Sequence, residues 1–221
     1  MKVKKVLSFL LVLTMVLGML PGVSALQESR FVLVGKKYAN EKPVIFYGSS
    51  ITHGAAASTP GYTYENLIAQ KYNMDYVNLG FAGNARAEEP MCRYLAKRDM
   101  CMFVFDYDHN AKTIEFLENT HYKFYELFRS INPDVPFVMI SRPDFIHNYD
   151  ASVKRRDIIR TSYEKALANG DKNVYFIDGE TLMNPDDEFR CTIEGVHPND
   201  VGFTRMAEVI GKKINEILKL K

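Results

Sequence analysis

Two short segments of this chain contain the types of side chain that turn a hydroxyl group into a nucleophile. The first, VIFYGSSITHG at 44–54, is an apolar run that ends in Gly48, Ser49 and Ser50. A serine hydroxyl is a poor nucleophile until a base lies within hydrogen-bond reach. The segment therefore has two interpretations: an ordinary turn, or a turn that holds one serine at the edge of a sheet for chemistry.

A base and an acid occur together in the second segment, CTIEGVHPND at 191–200. Glu194 and His197 are three residues apart with a glycine between them, so one turn of chain can bring the carboxylate to Nδ1 of the ring. A carboxylate there fixes the tautomer and stabilises the imidazolium, which leaves Nε2 to face a hydroxyl. The same residues also fit a capping loop with a surface histidine, because HPND is a plain helix start.

Two further polar segments contain hydrogen-bond donors of the kind that a tetrahedral oxyanion needs. NLGFAGNA at 78–85 contains Gly83, whose backbone N–H can approach a ligand closely because the residue has no side chain. DYDHNA at 106–111 contains Asn110, whose side-chain amide can donate. Together with the N–H of the serine, these donors would form an oxyanion hole. Taken singly, Gly83 also fits a tight turn and Asn110 also fits a helix cap.

The elements that must position these segments alternate along the chain. Five continuous apolar runs predict strands covered on both faces, at 44–47, 76–79, 102–105, 137–140 and 174–177. The segments between and after them predict helices, at about 62–72, 88–98, 111–131, 150–168 and 200–219. This alternation predicts an α/β fold with a five-stranded parallel sheet and helices on both faces. Function in such folds lies at the carboxyl ends of the strands, which is where the polar segments fall.

The ends of the chain and its composition set the domain organisation. The chain has 221 residues, of which 47% are hydrophobic and 25% charged, as in one globular domain. Residues 1–25 combine lysines, an apolar run and small residues before Ala25, which predicts a cleaved signal peptide. We expect 26–42 to be a lead-in and 43–221 to be the main domain. The protein is then secreted, or held at the cell surface if the signal is retained.

The charge of the chain argues against a nucleic-acid partner. Removal of residues 1–25 takes away three lysines and no acid, so the formal net charge changes from +1 to −2. A chain without a basic excess has no electrostatic footprint for nucleic acid, and we expect no nucleic-acid partner. We also expect no stable membrane insertion after the signal peptide is cut.

Three cysteines, Cys92, Cys101 and Cys191, leave the disulfide pairing open. An odd number cannot all pair within one chain, and free buried thiols are the favoured interpretation, although a bridge between Cys92 and Cys101 is conceivable. Their spacing matches no metal site.

The polar segments together resemble a known family. GSSIT, NLGFAG, DHN and EGVHPND resemble, in order, the four signature blocks of the SGNH hydrolases, also called the GDSL esterase/lipase family. The resemblance runs from about Val44 to the C-terminus and implies a flavodoxin-like three-layer α/β/α sandwich. It implies Ser50 as nucleophile, His197 as base, and an oxyanion hole built from Ser50, Gly83 and Asn110. It implies no metal and no cofactor.

Two positions depart from the family pattern. Ser49 stands where the first block usually has Asp, which leaves Ser50 in register. Glu194 stands where the last block usually has Asp, and we expect it to act as the acid, with water or a backbone carbonyl as alternatives to it. GSSIT also lacks the second glycine of the Gly-x-Ser-x-Gly elbow, which disfavours the α/β-hydrolase fold.

Within the family, the segments look most like bacterial esterases that act on acylated carbohydrates. The resemblance implies a secreted serine esterase that removes a short acyl group, acetyl above all, through an acyl-enzyme, and whose partner is a small-molecule or glycan ester. Alternatives are a lipase or lysophospholipase, and an inactive carbohydrate-binding relative.

We also expect particular positions for several further side chains. We expect the pocket to be lined by aromatic and imidazole groups, namely His53, Tyr62, Tyr107 and His109, although the tyrosines also fit the core or the rim. His121 lies mid-helix among polar residues, and we expect it at the surface. His147 is expected near the site without a partner.

Overall fold

A computed structural model describes residues 37–183 and 188–220 of the chain. The predicted signal peptide and all of the lead-in before residue 37 lie outside the described residues, so both remain predictions. Within the described ranges, no helix combines the length and the apolar character that a bilayer span requires.

Five parallel strands form a single sheet with the order β2-β1-β3-β4-β5. Their bounds are β1 Val44–Gly48, β2 Tyr76–Gly80, β3 Met102–Asp106, β4 Phe137–Ile140 and β5 Val174–Ile177. This order is that of a flavodoxin-like sheet, and its direction reverses at β1, which lies between β2 and β3. The predicted α/β fold class is confirmed.

Helices in the described residues follow the predicted alternation. They are α1 Ser50–His53, α2 Tyr64–Tyr72, α3 Glu89–Leu95, α4 Ile114–Ile131, α5 Tyr149–Ala168, α6 Glu188–Cys191 and α7 Asp200–Leu218. Two of them begin later than predicted because a threonine caps each start: Thr63 accepts from the N–H of Asn66, and Thr113 accepts from that of Phe116. The short helices α1 and α6 were not predicted.

Strand side chains alternate between the two faces of the sheet and build two cores. Tyr47 and Phe105 belong to the core shared with α3, α4 and α5. Phe46 and Val104, which alternate with them, belong to the core shared with α2 and α7. Burial of each such large apolar side chain contributes roughly 1.5–3 kcal/mol, so the sheet is held firmly from both sides.

His121 is buried in the first of these cores, and the expectation that it lies at the surface is wrong. Only 1% of the residue is exposed, and its ring lies 5.0 Å from that of Phe105 and 6.0 Å from that of Tyr107. It shares a helix face with Leu117 and Phe124, which are also buried. Burial lowers the pKa of His121 to about 3, so the imidazole is neutral at ordinary pH.

The three cysteines are free thiols, as the favoured interpretation held. Cys92 packs in the core on one face of the sheet and Cys191 in the core on the other, so the sheet separates them. Burial raises the pKa of Cys92 to about 12, which keeps this thiol protonated and unreactive.

Candidate active site

The turn after β1 gives its two serines different roles. Ser49 is fully buried, and its hydroxyl accepts from the N–H of Ile51 at 3.1 Å, which caps α1. The N–H of Ser49 donates to the carbonyl of Asp106 at 3.2 Å, which fastens the turn to the end of β3. Ser50 is the first residue of α1 and is only partly buried, so its hydroxyl is the one that a substrate can reach.

Ser50 lies beside a histidine from the far end of the chain. Its Oγ is 2.8 Å from Nε2 of His197. Nδ1 of His197 in turn contacts Oε1 of Glu194, and the backbone N–H of His197 donates to the same oxygen at 3.0 Å. The hydroxyl, the imidazole and the carboxylate thus form a chain of successive contacts. The side chain of Glu194 reaches the ring although it is one methylene longer than the aspartate usual in the family.

The carboxylate of Glu194 is held in its ionised form. Desolvation acts to raise its pKa, but the hydrogen bonds from the ring and the backbone N–H of His197, with the charge of the ring, outweigh it and lower the pKa. An ionised partner on Nδ1 leaves Nε2 free to accept the proton of Ser50.

A closed hairpin carries both Glu194 and His197. Thr192 and Pro198 form an antiparallel bridge, and the N–H of Ile193 donates to the carbonyl of His197 at 3.0 Å. Gly195 at the tip has φ +86°, and a Cβ there would lie 1.9 Å from the ring of His147. Only glycine fits this tip without a shift of its neighbours.

The first turn of α7 anchors this hairpin to the nucleophile side of the site. The side chain of Asn199 accepts from the N–H groups of Val201 and Gly202 and caps the helix. Asp200 accepts from the N–H and the hydroxyl of Ser58, at 2.8 and 2.6 Å, in the loop that follows α1. These contacts fix the separation between the serine turn and the histidine hairpin.

Gly83 and Asn110 provide hydrogen-bond donors at this edge of the sheet. Gly83 lies in a tight turn closed by the N–H of Asn84 on the carbonyl of Phe81, and its φ of +93° suits glycine. Oδ1 of Asn110 accepts from the N–H of Ala85 at 3.0 Å, which fixes the orientation of the amide.

No acceptor in the described part of the chain takes a hydrogen bond from Nδ2 of Asn110 or from the N–H of Ser50 or Gly83. Ser50 stands in the first turn of a helix, where the N–H has no partner within the helix. Each of these three donors is therefore free to donate to an oxygen of a substrate.

The structure separates the side chains that were expected to line the pocket. His53 and Tyr62 are both exposed, and Nδ1 of His53, on the same helix as Ser50, lies 3.2 Å from the carbonyl of Gly80. The expectation for Tyr107 is wrong: it is 1% exposed, and its hydroxyl pairs with Thr120 at 2.6 Å in the core.

His109 lies beside the oxyanion donors, largely buried. Its Nε2 is 3.1 Å from Oδ1 of Asp144, and its side chain forms part of the wall of a cavity that also contains Gly83 and Asn110. His147 lies near the site, as expected, because its ring packs against the tip of the hairpin at Gly195.

A buried polar cluster beneath α1 was not predicted. Oδ2 of Asp106 accepts from the hydroxyl of Thr52 at 3.1 Å and from that of Tyr64 at 3.0 Å. Thr52 belongs to the same short helix as Ser50, so the cluster supports the helix that carries the candidate nucleophile. The one available signal was an acidic residue directly at the end of an apolar strand.

Metal-ligating side chains are not clustered in the described residues. In residues 37–183 and 188–220, no three His, Cys, Asp or Glu side chains are grouped so as to hold an ion.

Comparison with solved structures places this architecture among known relatives. A GDSL-like lipase from Bacteroides ovatus superposes with a TM-score of 0.75 at 29% identity, over 84% of this chain and 56% of that one. The salicylyl-acyltransferase SsfX3 from a tetracycline biosynthetic pathway gives 0.69 at 23% identity, over 84% and 58%. A family two carbohydrate esterase from Clostridium thermocellum gives 0.66 at 18%, over 84% and 66%. The last two show a shared fold.

The chain spans a little over half the length of the first two of these structures. No curated protein matches it. The family model of the GDSL-like lipase/acylhydrolases matches residues 41–215, which is most of the chain and includes all four signature blocks. This protein therefore belongs to the GDSL-like lipase/acylhydrolase family, as the resemblance of its four segments indicated.

Proposed function

We propose that this protein is a serine esterase that hydrolyses short-chain esters, with acetyl groups on carbohydrate as the preferred substrate class. The observation that carries the proposal is the 2.8 Å contact between Oγ of Ser50 and Nε2 of His197, because a serine needs a base at this distance to become a nucleophile. Family membership gives independent support for acyl-ester chemistry.

The acylation step follows from the positions of these groups. Oγ of Ser50 attacks the ester carbonyl while its proton passes to Nε2 of His197. Glu194 stabilises the imidazolium that forms, and the oxyanion accepts from Ser50, Gly83 and Asn110. His197 then gives the proton to the departing alcohol, which leaves an acyl group on Ser50.

Deacylation repeats these roles with water as the nucleophile. His197 takes a proton from the water, and the same three donors stabilise the second oxyanion. The bond from the acyl carbon to Oγ of Ser50 then breaks as His197 gives that proton to Oγ. The products are the free acid and the restored serine, and the cycle needs no cofactor.

Features of the sequence support the acetylated glycan as substrate and secretion as the cellular location. The four segments resemble the carbohydrate-esterase branch of the family, which supports an acetylated glycan as substrate. The leader at 1–25 supports secretion, and the same expectations hold for partners: a small-molecule or glycan ester, no nucleic acid, and no membrane insertion after cleavage.

The test is hydrolysis of 4-nitrophenyl acetate by the chain from residue 26, with Ser50→Ala compared with Ser49→Ala. Ser49→Ala loses a helix cap worth about 1 kcal/mol but keeps the nucleophile, so it retains activity, whereas Ser50→Ala loses it. Turnover that survives Ser50→Ala refutes the proposal. Acetate release from acetylated xylan, mannan, chitin and peptidoglycan fragments then identifies the glycan.

Two results would assign a different function on the same fold. A rate that rises steadily with the length of the acyl chain would indicate a lipase or lysophospholipase. Absence of turnover together with binding of oligosaccharides would indicate a carbohydrate-binding relative.

A further inference from the structure

A basic cavity of about 400 Å³ adjoins the oxyanion donors. Gly83 and Asn110 form part of its wall. Four cationic side chains also contribute to the wall, namely Arg86, Lys112, Arg142 and Arg155. Among the described residues that line it, none is Asp or Glu.

Two of the four cations are neutralised behind the wall. Nε of Arg155 donates to Oδ1 of Asp108 at 3.0 Å, and both side chains are almost fully buried. Nε of Arg142 lies 3.1 Å from Oδ1 of Asp144, which is also buried. These pairs stiffen the wall but leave no net charge to attract a ligand.

The other two cations have no carboxylate partner within the described ranges. Nη1 of Arg86 donates to the carbonyl of Asn110 at 3.2 Å, which ties the guanidinium to this residue, and its other N–H groups have no acceptor among residues 37–183 and 188–220. Lys112, which follows Asn110 by two residues, is exposed. The cavity therefore carries two uncompensated positive charges beside Gly83 and Asn110, two of the three proposed oxyanion donors.

We infer that the preferred ester carries a carboxylate, and that Arg86 and Lys112 bind it in this cavity while the ester carbonyl occupies the oxyanion hole. The inference rests on the proposed esterase function and specifies its substrate class. A guanidinium matches a carboxylate with two parallel hydrogen bonds, and an ammonium adds a mobile point charge. The carboxylate can belong to the acyl part, as in a dicarboxylic half-ester, or to the alcohol part, as in an acetylated uronic acid.

The experiment compares anionic esters with neutral esters of the same size. The acyl arm uses mono-4-nitrophenyl adipate and its methyl ester, and the alcohol arm uses an O-acetylated methyl glucuronoside and its methyl ester. The measured quantity is the ratio of kcat/KM between the anionic and the neutral member of each pair. This ratio cancels any general effect of a substitution on the catalytic groups.

The variants are Lys112→Gln, Arg86→Gln and, as a matched control, Lys212→Gln on α7. Lys212 is exposed, contributes nothing to the cavity wall, and loses the same charge. We expect the ratio in one arm to fall about three- to fivefold in Lys112→Gln, the effect of one exposed ion pair, and further in Arg86→Gln. It stays unchanged in Lys212→Gln.

The outcomes separate the two proposals. Preference for the anionic member in the acyl arm or in the alcohol arm identifies where the carboxylate belongs. Efficient hydrolysis of the neutral esters, with no anionic preference and no change in either ratio for Lys112→Gln and Arg86→Gln, overturns the inference and leaves the esterase proposal intact. Failure to hydrolyse any ester overturns both.

Discussion

Replacement of Asp106 by asparagine should remove a loss of stability that the wild-type chain suffers as the pH rises from about 4 to about 7. The carboxyl group is 3% exposed beneath the nucleophile helix, where Oδ2 accepts from Thr52 and Tyr64. Burial raises its pKa from 3.8 to about 7 and outweighs the hydrogen bonds of Tyr64 and Thr52, which lower it. The asparagine oxygen can accept the same two hydrogen bonds without ever becoming charged.

The sign and size of the effect follow from the two pKa values of Asp106. Between pH about 4 and 7 the folded chain keeps this proton while the unfolded chain has lost it, so the free energy of unfolding falls as pH rises and then levels off. A difference of about 3 pKa units corresponds to about 4 kcal/mol. Relative to wild type, Asp106→Asn should gain up to about 4 kcal/mol between about pH 4 and pH 8.

The assay is urea unfolding followed by circular dichroism at about pH 4.5, 6 and 8 for wild type and variant. The difference between the two cancels titrating groups that do not interact with Asp106. The buried Glu65 does interact, since the charge of Asp106 adds to the rise that burial causes in its pKa, so any change in its titration is part of the measured effect. Asp99→Asn is the control, because that carboxylate is 87% exposed and should give a difference that hardly varies with pH. A difference for Asp106→Asn that is equally independent of pH would refute the reasoning.

Three further substitutions test the site itself. Asn110→Ala should lower kcat about 10²- to 10³-fold with little change in KM, because it removes one oxyanion donor; an unchanged kcat in steady-state assays would exclude that role. Glu194→Gln should lower kcat at least about tenfold, because the imidazolium of His197 loses its counter-charge, whereas a change within twofold would show that another group orients the ring. Gly195→Ala should lower activity and thermal stability, since its Cβ meets the ring of His147, and addition of His147→Ala should restore part of both, leaving only the cost of the positive φ.

The strands and the functional loops could be predicted because they depend on local sequence. Apolar runs mark strands buried on both faces. Three of the five strands extend one residue beyond the apolar run that predicted them. Gly48 pairs in register with Gly80 on one side and Asp106 on the other, so the ladder continues where the hydrophobicity stops. The order of the polar segments was enough to indicate the family, and hence Ser50 and His197.

What could not be predicted depends on how distant elements pack. His121 and Tyr107 look polar in sequence, but the rotation of α4 against the sheet turns His121 into the aromatic core, where it stacks on Tyr107. Asp106 becomes buried only because α1 and α2 close over the end of β3. The basic cavity joins residues from four separate segments, and no local pattern connects Arg86 to Lys112.

The hairpin closed by Thr192 and Pro198 makes acid and base a single mechanical unit. Any movement of the C-terminal helix displaces Glu194 and His197 together and leaves Ser50 and the oxyanion donors where the sheet holds them. The hydrogen bonds of Asp200 with Ser58 join this unit to the loop that follows α1. In the proposed reaction, loss of these hydrogen bonds would leave the oxyanion donors able to bind a tetrahedral adduct. His197 would then no longer be aligned to transfer the proton that forms or releases that adduct.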